Sequence, residues 1–252
     1  MLSVRNVGVR FGGIVALDGV SFDIAAGEIV GLIGPNGAGK TTLFNCLSRL
    51  YECDDGDILY DGRSLLGVPR HRIAGLGIGR TFQNLALFRS MTVLENVLTG
   101  RHCRTRRGFF TNALRLPGVA AEERRSAARA RELVGILGLD SVAAVRVGEL
   151  PFGTQKRVEL ARALACEPRL LLLDEPASGL NHEEVRELGA LIRELRRRFA
   201  LTVLLVEHHM SLVMEISDRV VALNFGRKIA EGAPAAVREH PELVQAYLGS
   251  AR

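Results

Sequence analysis

Glu28-Ile29-Val30-Gly31-Leu32-Ile33 runs into Gly34-Pro35-Asn36-Gly37-Ala38-Gly39-Lys40-Thr41, with Thr42 directly after it, and this stretch decides the fold. The short apolar run reads as a buried strand, and the residues from Lys40 to about Leu50 read as a helix. Between them the spacing is G-x-x-x-x-G-K-[ST]. Glycines there let the backbone wrap with its N–H groups turned inward around phosphate oxygens, and the following helix adds its positive N-terminus. Lys40 would reach β- and γ-phosphates, and the Thr41 hydroxyl would ligate Mg²⁺.

Moving outward, Arg169 to Leu173 reads as a second buried strand that delivers Asp174 and Glu175 at its C-terminal end. Asp174 suits a Mg²⁺ contact through water, and Glu175 is placed to act as general base on an attacking water. Thr202 to Val206 reads as a third strand, ending in Glu207-His208. Strands alternating with helical stretches argue for an α/β fold with a largely parallel sheet. Leu2 to Phe11, Val15 to Ile24 and Asp57 to Tyr60 are turn-bounded and partly alternating, so antiparallel strands are expected there. Strand signals vanish from about Asn84 to Gly148, where Val93 to Arg101 and Ala120 to Leu137 read as helices. One domain is therefore expected, with an α/β core over 1–83 and 160–225 and a helical subdomain over 84–159. The remaining 226–252 form a tail in which Pro234 and Pro241 open helices.

Composition sets limits. The chain has 252 residues, 47% hydrophobic and 24% charged, an ordinary soluble balance that excludes a disordered chain. No apolar run reaches membrane-spanning length and no secretory signal opens the chain, so folding in the cytoplasm is expected. Cys46, Cys53, Cys103 and Cys166 are scattered without a C-x-x-C pair, which argues for reduced thiols rather than a zinc site or disulfide framework. With no Trp and 5% aromatics, the composition argues against a stacking platform for single-stranded nucleic acid. Arg101, Arg104, Arg106, Arg107 and Arg115 form an acid-free stretch equal to the net charge of +5, either a solvated loop or a surface near anionic lipid or an acidic partner, with nucleic acid a weaker third reading because nothing nearby resembles a reading helix.

Around these motifs the sequence resembles the ATP-binding cassette (ABC) family of ATPases over essentially its whole length. Leu150-Pro151-Phe152-Gly153-Thr154, running into Gln155 to Leu164, resembles that family's signature motif and its helix. Gln83 falls at the Q-loop position, where the resemblance implies contact with Mg²⁺ and its water. His208 matches the switch histidine that contacts the γ-phosphate, although His209 beside it is a rival by position. Phe11 sits at the aromatic position that stacks on adenine. Ser178-Gly179-Leu180-Asn181 resembles the D-loop that crosses to a partner subunit. The resemblance thus implies a P-loop NTPase (RecA-like) core with an N-terminal antiparallel β subdomain and an inserted helical subdomain. It implies ATP and Mg²⁺ as ligands. Two departures stand out: Pro151, Phe152 and Thr154 replace Ser, Gly and Gln of the common signature, and Asn181 replaces the common D-loop Asp.

The departures themselves point to a subgroup. The aromatic-Gly of the signature, Gly-Leu-Asn in the D-loop, Glu207-His208-His209-Met210-Ser211-Leu212-Val213-Met214, Phe11-Gly12-Gly13 and Ala246-Tyr247-Leu248-Gly249 resemble the ATPase subunits of branched-chain amino acid importers. An insertion at about Arg101 to Ala121 fits their larger subunit. The resemblance implies a second ABC ATPase subunit as partner, in a heterodimer or alternatively a homodimer. It further implies two transmembrane permease subunits, a separate solute-binding protein, no nucleic acid, and a peripheral position on the cytoplasmic face of the plasma membrane. Importers of urea, amides or other amino acids, exporters, and non-transport ABC ATPases are the competing readings. A GTPase would need an Asn-Lys-x-Asp guanine reader, which is absent.

Overall fold

In the computed structural model the described residues are 1–104 and 119–249. They fall into two units, Met1–Ile73 with Arg169–Arg252, and Ala74–Pro168.

In the first unit the N-terminal alternation produces β1 (Leu2–Phe11) and β2 (Ile14–Ile24), paired antiparallel from Leu2↔Ile24 to Phe11↔Ile14. On its other side β1 pairs antiparallel with β4 (Asp55–Tyr60), which carries the short β5 (Arg63–Ser64) at its edge. The continuous apolar runs behave differently. Every residue is buried in β3 (Ile29–Ile33), β7 (Leu170–Asp174) and β8 (Thr202–Val206), as a sheet covered on both faces requires. β3 runs parallel to β8 and to β9 (Arg219–Asn224), β7 runs parallel to β8, and β10 (Arg227–Gly232) is antiparallel to β9. The hydrogen-bonded order is β10-β9-β3-β8-β7.

Helices pack on this sheet through apolar stripes. α1 (Lys40–Leu47) buries Leu43, Phe44, Cys46 and Leu47. α5 (His182–Phe199) buries Val185, Leu188, Ile192 and Leu195 at helical spacing, and Asn181 caps it by accepting from the Glu183 and Glu184 N–H groups at 2.9 and 3.0 Å. α6 (Met210–Ile216) lies so close to β3 that a Cβ on Gly31 would stand 2.5 Å from Val213 Cγ1 and 2.8 Å from Ser217 Oγ. That contact explains the glycine inside an otherwise branched strand. α7 (Pro234–Arg238) and α8 (Pro241–Gly249) close the chain, each opened by the expected proline.

The second unit holds β6 (Ile78–Arg80), α2 (Val93–Thr99), α3 (Val119–Ile136) and α4 (Phe152–Ala165). Thr92 and Glu95 form a capping box on α2. The fully buried Asn96 ties down the preceding loop, accepting from Phe88 N–H at 2.8 Å and donating to the Phe88 and Thr92 carbonyls at 3.0 Å each.

The unit boundaries differ from those expected from sequence. The second unit begins at Ala74 rather than near Asn84 and ends at Pro168 rather than Glu159. The cause is packing, because α4 makes its helix contacts with α2 and α3 and so belongs with them. The expected tail also begins with a sheet strand, β10, paired to β9. The expected insertion of about 101–121 lies largely outside the described residues.

Gly31→Ala should lower stability by about 1–3 kcal/mol through overpacking against Val213 and Ser217. Thermal unfolding should show this as a fall of roughly 2–4 °C per kcal/mol. Adding Val213→Ala should recover part of the loss, a coupling above about 0.5 kcal/mol in a double-mutant cycle.

Candidate functional site

The loop between β3 and α1 is shaped by its glycines. Gly34 has φ +151° and a Cβ there would clash with the Leu223 carbonyl oxygen, while Gly39 has φ +98° and a Cβ would lie 2.6 Å from Ala16 O. Both positions therefore need a residue without a side chain. The loop is pinned to its surroundings by Gly226 N–H donating to Ala38 O at 3.1 Å. No acid occupies the first turn of α1, so the positive end of that helix is left to a ligand. Asn36 and Gly37 are exposed at the crest, Thr41 is exposed at the helix start, and Pro35 and Thr42 are half-buried.

Lys40 curls back over its own loop. Its Nζ donates to Gly34 O at 2.7 Å and Pro35 O at 3.0 Å. Burial pulls its pKa below the ordinary lysine value, opposed by the negative charges of Glu175 and Asp174. The ammonium is thus held by neutral carbonyls close to two carboxylates, in a place where phosphate oxygens are stronger acceptors.

Asp174 ends β7 nearly buried, and Glu175 follows it with φ +46°, unusual for a residue with a side chain. Glu175 N–H donates to Val206 O at 2.9 Å, which locks the turn to the end of β8. His208 Nδ1 lies 3.8 Å from Glu175 Oε2, with the imidazole half-exposed. His209 instead N-caps α6 and packs its ring 4.5 Å from that of His208. Of the two histidines it is His208 whose ring nitrogen comes within 4 Å of Glu175, and it lies 3.9 Å from Glu207 Oε2 as well.

The residue that sequence reasoning missed is Glu207. It is wholly buried, with Oε1 accepting from Ala177 N–H at 2.7 Å and Oε2 from the His208 and His209 N–H groups at 3.1 and 3.2 Å. One carboxylate thereby joins the loop after β7 to the loop after β8 and fixes the backbone of His208. These three N–H donors also commit the carboxylate, although Glu207, His208 and His209 lie close enough together to suggest a metal cluster. The signal in the sequence was an acid directly after five buried residues, where an unpaired charge would be costly. Tyr247 was quoted only for resemblance, yet it stands half-buried on α8 near the Gly34 backbone, and burial raises its pKa.

Phe11 is 47% exposed and meets Tyr51 edge-on, with ring centroids 5.2 Å apart. It is a solvent-facing aromatic rather than a core residue. Asn181 has its side-chain oxygen committed to the α5 cap.

The second unit carries the remaining candidates. Gln83 is exposed in the loop after β6, beside Phe82, whose N–H donates to the buried Glu159 carboxylate at 3.1 Å. Leu150 is buried and Pro151 is the N-cap of α4, with no side-chain cap bond. The helix begins at Phe152, so Gly153 and Thr154 stand in its first turn, earlier than the sequence reading had it. Of the basic stretch, Arg106, Arg107 and Arg115 lie outside the described residues. Arg101 is not a free surface charge, because it binds Ala165 O at 3.2 Å and Glu167 at 2.7 Å. Arg104 likewise donates to Cys166 O at 2.6 Å and Glu167 O at 2.8 Å.

Glu207→Ala should strand three inward-facing N–H groups and lower stability by about 3 kcal/mol or more. Urea unfolding should show a lower midpoint with an unchanged slope.

The family model for "ABC transporter" matches residues 17–178. The chain is 44% identical over 251 residues to the high-affinity branched-chain amino acid transport ATP-binding protein LivG of Escherichia coli K12, covering 100% of this chain and 98% of that one. It is 43% identical, with the same coverage, to BraF of Pseudomonas aeruginosa, a protein of the same description. Among solved structures it is similar to the ADP conformation of MJ1267, an ATP-binding cassette of an ABC transporter. That match has a TM-score of 0.86 and 30% identity, covering 99% of this chain and 98% of the other. The dimeric cassette MJ0796 matches with a TM-score of 0.78 and 26% identity, covering 93% and 99%. The chain belongs to the ABC transporter family, as one of its ATP-binding, ATP-hydrolysing cassettes.

Proposed function

We propose that this chain energises the import of branched-chain amino acids, leucine, isoleucine and valine, through separate permease subunits. The observation that carries the reading is the full-length identity of 44% to LivG and 43% to BraF.

In this reading Lys40 leaves the Gly34 and Pro35 carbonyls and turns to the β- and γ-phosphates, while N–H groups between Asn36 and Thr42 surround the phosphate oxygens. Phe11 supplies a stacking face for adenine. The exposed Thr41 hydroxyl and Asp174 would hold Mg²⁺ as hard oxygen donors, and the Q-loop position of Gln83 marks it as a further donor in this reading. When bound, that ion neutralises charge on the phosphates. Glu175 accepts a proton from the attacking water as its oxygen bonds to the γ-phosphorus and the bond to the ADP oxygen breaks. His208, with its backbone fixed by Glu207, orients that water and contacts the γ-phosphate.

The cassette works as a dimer, as a heterodimer with a second ABC ATPase. Leu150 to Thr154 of each subunit faces the nucleotide of the other, and Asn181 lies in the loop that crosses between them. ATP binding closes the pair and hydrolysis releases it, biasing the permease subunits between two access states. A separate solute-binding protein delivers the cargo. Among the described residues no helix is long and apolar enough to cross a membrane, which accords with a peripheral position on the cytoplasmic face through those permeases.

Glu175→Gln should bind ATP normally, accumulate the closed dimer and lose hydrolysis by about 10²-fold or more. A wild-type rate in a phosphate-release assay would remove Glu175 from this role. Uptake of labelled leucine, isoleucine and valine by cells lacking the gene should be restored by the wild type and not by Lys40→Ala. Restoration of urea or amide uptake instead would reassign the cargo while leaving the ATPase reading intact.

A further inference from the structure

The 14-residue helix α4 begins without an acceptor for its first donors. Gln155 N–H bonds Pro151 O at 3.0 Å, so the N–H groups of Phe152, Gly153 and Thr154 have no partner within the helix. Pro151 at the N-cap offers no side-chain acceptor, and no acid stands in the first turn. The Gln155 side chain turns back instead, donating from Nε2 to Leu150 O at 2.8 Å. The positive end of the helix is therefore uncompensated by the segment that forms it.

Lys156 adds a second and independent anomaly. A helical side chain leans towards the N-terminus of its helix, and this one brings its ammonium to 5.4 Å from the ring centroid of Phe152, one turn back. The residue is only 6% exposed, yet Nζ has no hydrogen-bond partner among the described residues. A phenyl face at that distance holds a cation weakly. Buried ammonium groups are otherwise paired, because an unpaired charge away from water is costly. Glu159, one turn further along α4, is no such partner, and its Oε1 accepts from Phe82 N–H at 3.1 Å. Three unbonded N–H donors and one unpaired cation thus converge on the start of a single helix. Only an anion arriving from outside the helix satisfies both.

We propose that Lys156 and the first turn of α4 form a phosphate-binding site, filled by the terminal phosphate of the nucleotide that the opposing subunit carries. The assignment rests on the cross-facing dimer of the proposed function and adds a charged side-chain ligand to it. A terminal phosphate brings several free oxygens, enough to accept from backbone N–H groups and from an ammonium together. The compact charge of lysine suits such an oxygen without demanding a fixed planar geometry. Phe152 is 45% exposed and keeps the ammonium at the helix start through its ring, and a charge-assisted bond to phosphate outcompetes that hold. Lys40 of one subunit and Lys156 of the other then grip the same polyphosphate from opposite sides. A diphosphate lacks the group that Lys156 reaches, so this lysine favours the closed dimer with ATP and not with ADP.

The test has two arms. The chain contains three lysines, Lys40, Lys156 and Lys228, so nitrogen-15 lysine labelling gives one side-chain ammonium signal for each, assigned by substitution to Arg. In full-length Lys40→Ala protein, inorganic phosphate should shift the Lys156 signal and leave that of Lys228, which is paired with Glu231, in place against chloride at equal ionic strength. A Lys156 signal that phosphate does not move overturns the site. In the assembled complex with the second ATPase and the permeases, Lys156→Met should raise the ATP concentration needed for closure by about tenfold or more. Binding of ADP to the Lys40 loop should stay unchanged, and Lys156→Arg should recover most of the closure. If Lys156→Met closes as the wild type does, the nucleotide assignment is overturned and a moving Lys156 signal reports a free anion. A wild-type complex that does not close with ATP overturns the dimer reading itself, and the nucleotide assignment with it. Circular dichroism checks the fold of each variant, and Lys156→Gln gives the same comparison if Lys156→Met unfolds.

Discussion

The site depends on the parallel register of three buried strands. Leu32 pairs with Val206 across β3 and β8, and Asp174 pairs with Val206 across β7 and β8. The phosphate loop, the acidic pair and the Glu207–His208 step therefore leave the sheet at one level, along its C-terminal edge. A parallel sheet demands this of any ligand site, since loops at that edge are the ones free to converge. A slip of one residue would turn the side chains of a strand to the opposite face. Because β3, β7 and β8 are buried on both faces, apolar pattern alone specifies their register weakly. Backbone bonds at their ends do more: Glu175 N–H to Val206 O at 2.9 Å, and Thr202 N–H to Arg169 O at 2.9 Å.

The charges at that edge are handled in two ways. Glu207 is saturated by three backbone donors and serves structure. Lys40 is satisfied by two carbonyls of its own loop, partners that a polyphosphate readily replaces. Glu175 stands between these cases, on a turn with left-handed backbone that aims its carboxylate towards His208. Residues at such φ values persist only where their surroundings enforce them, and here the enforcing contact is the bond to Val206. The buried Glu207 carboxylate therefore ties together the loops that carry the other charges.

Much of this was legible in the sequence, for physical reasons that differ by element. The buried strands announced themselves as apolar runs, and the loop as a glycine spacing that only backbone curvature explains. The prolines at 234 and 241 marked helix starts because their missing N–H groups cost nothing there. The limits of the helical unit were not legible, since α4 looks alike whether it packs on a sheet or on α2. Glu207 escaped because its partners are backbone groups, which leave no trace in residue type.

The unusual signature also follows a physical logic. A serine at the helix N-cap would bond its own first-turn N–H groups, as Asn181 does at the start of α5. Pro151 makes no such bond, and its φ of −56° suits the turn into α4. The N–H groups of Gly153 and Thr154 at the positive end of α4 are thus left without a side-chain acceptor. In a helix of 14 residues that end retains the partial charge of the whole backbone array. In the proposed dimer, losing the serine hydroxyl would remove one directional hydrogen bond to phosphate while leaving more backbone donors to bind it. Recognition of the nucleotide would then pass from a side chain to the helix backbone, which would tolerate Phe152 and Thr154 because neither side chain is needed for the contact.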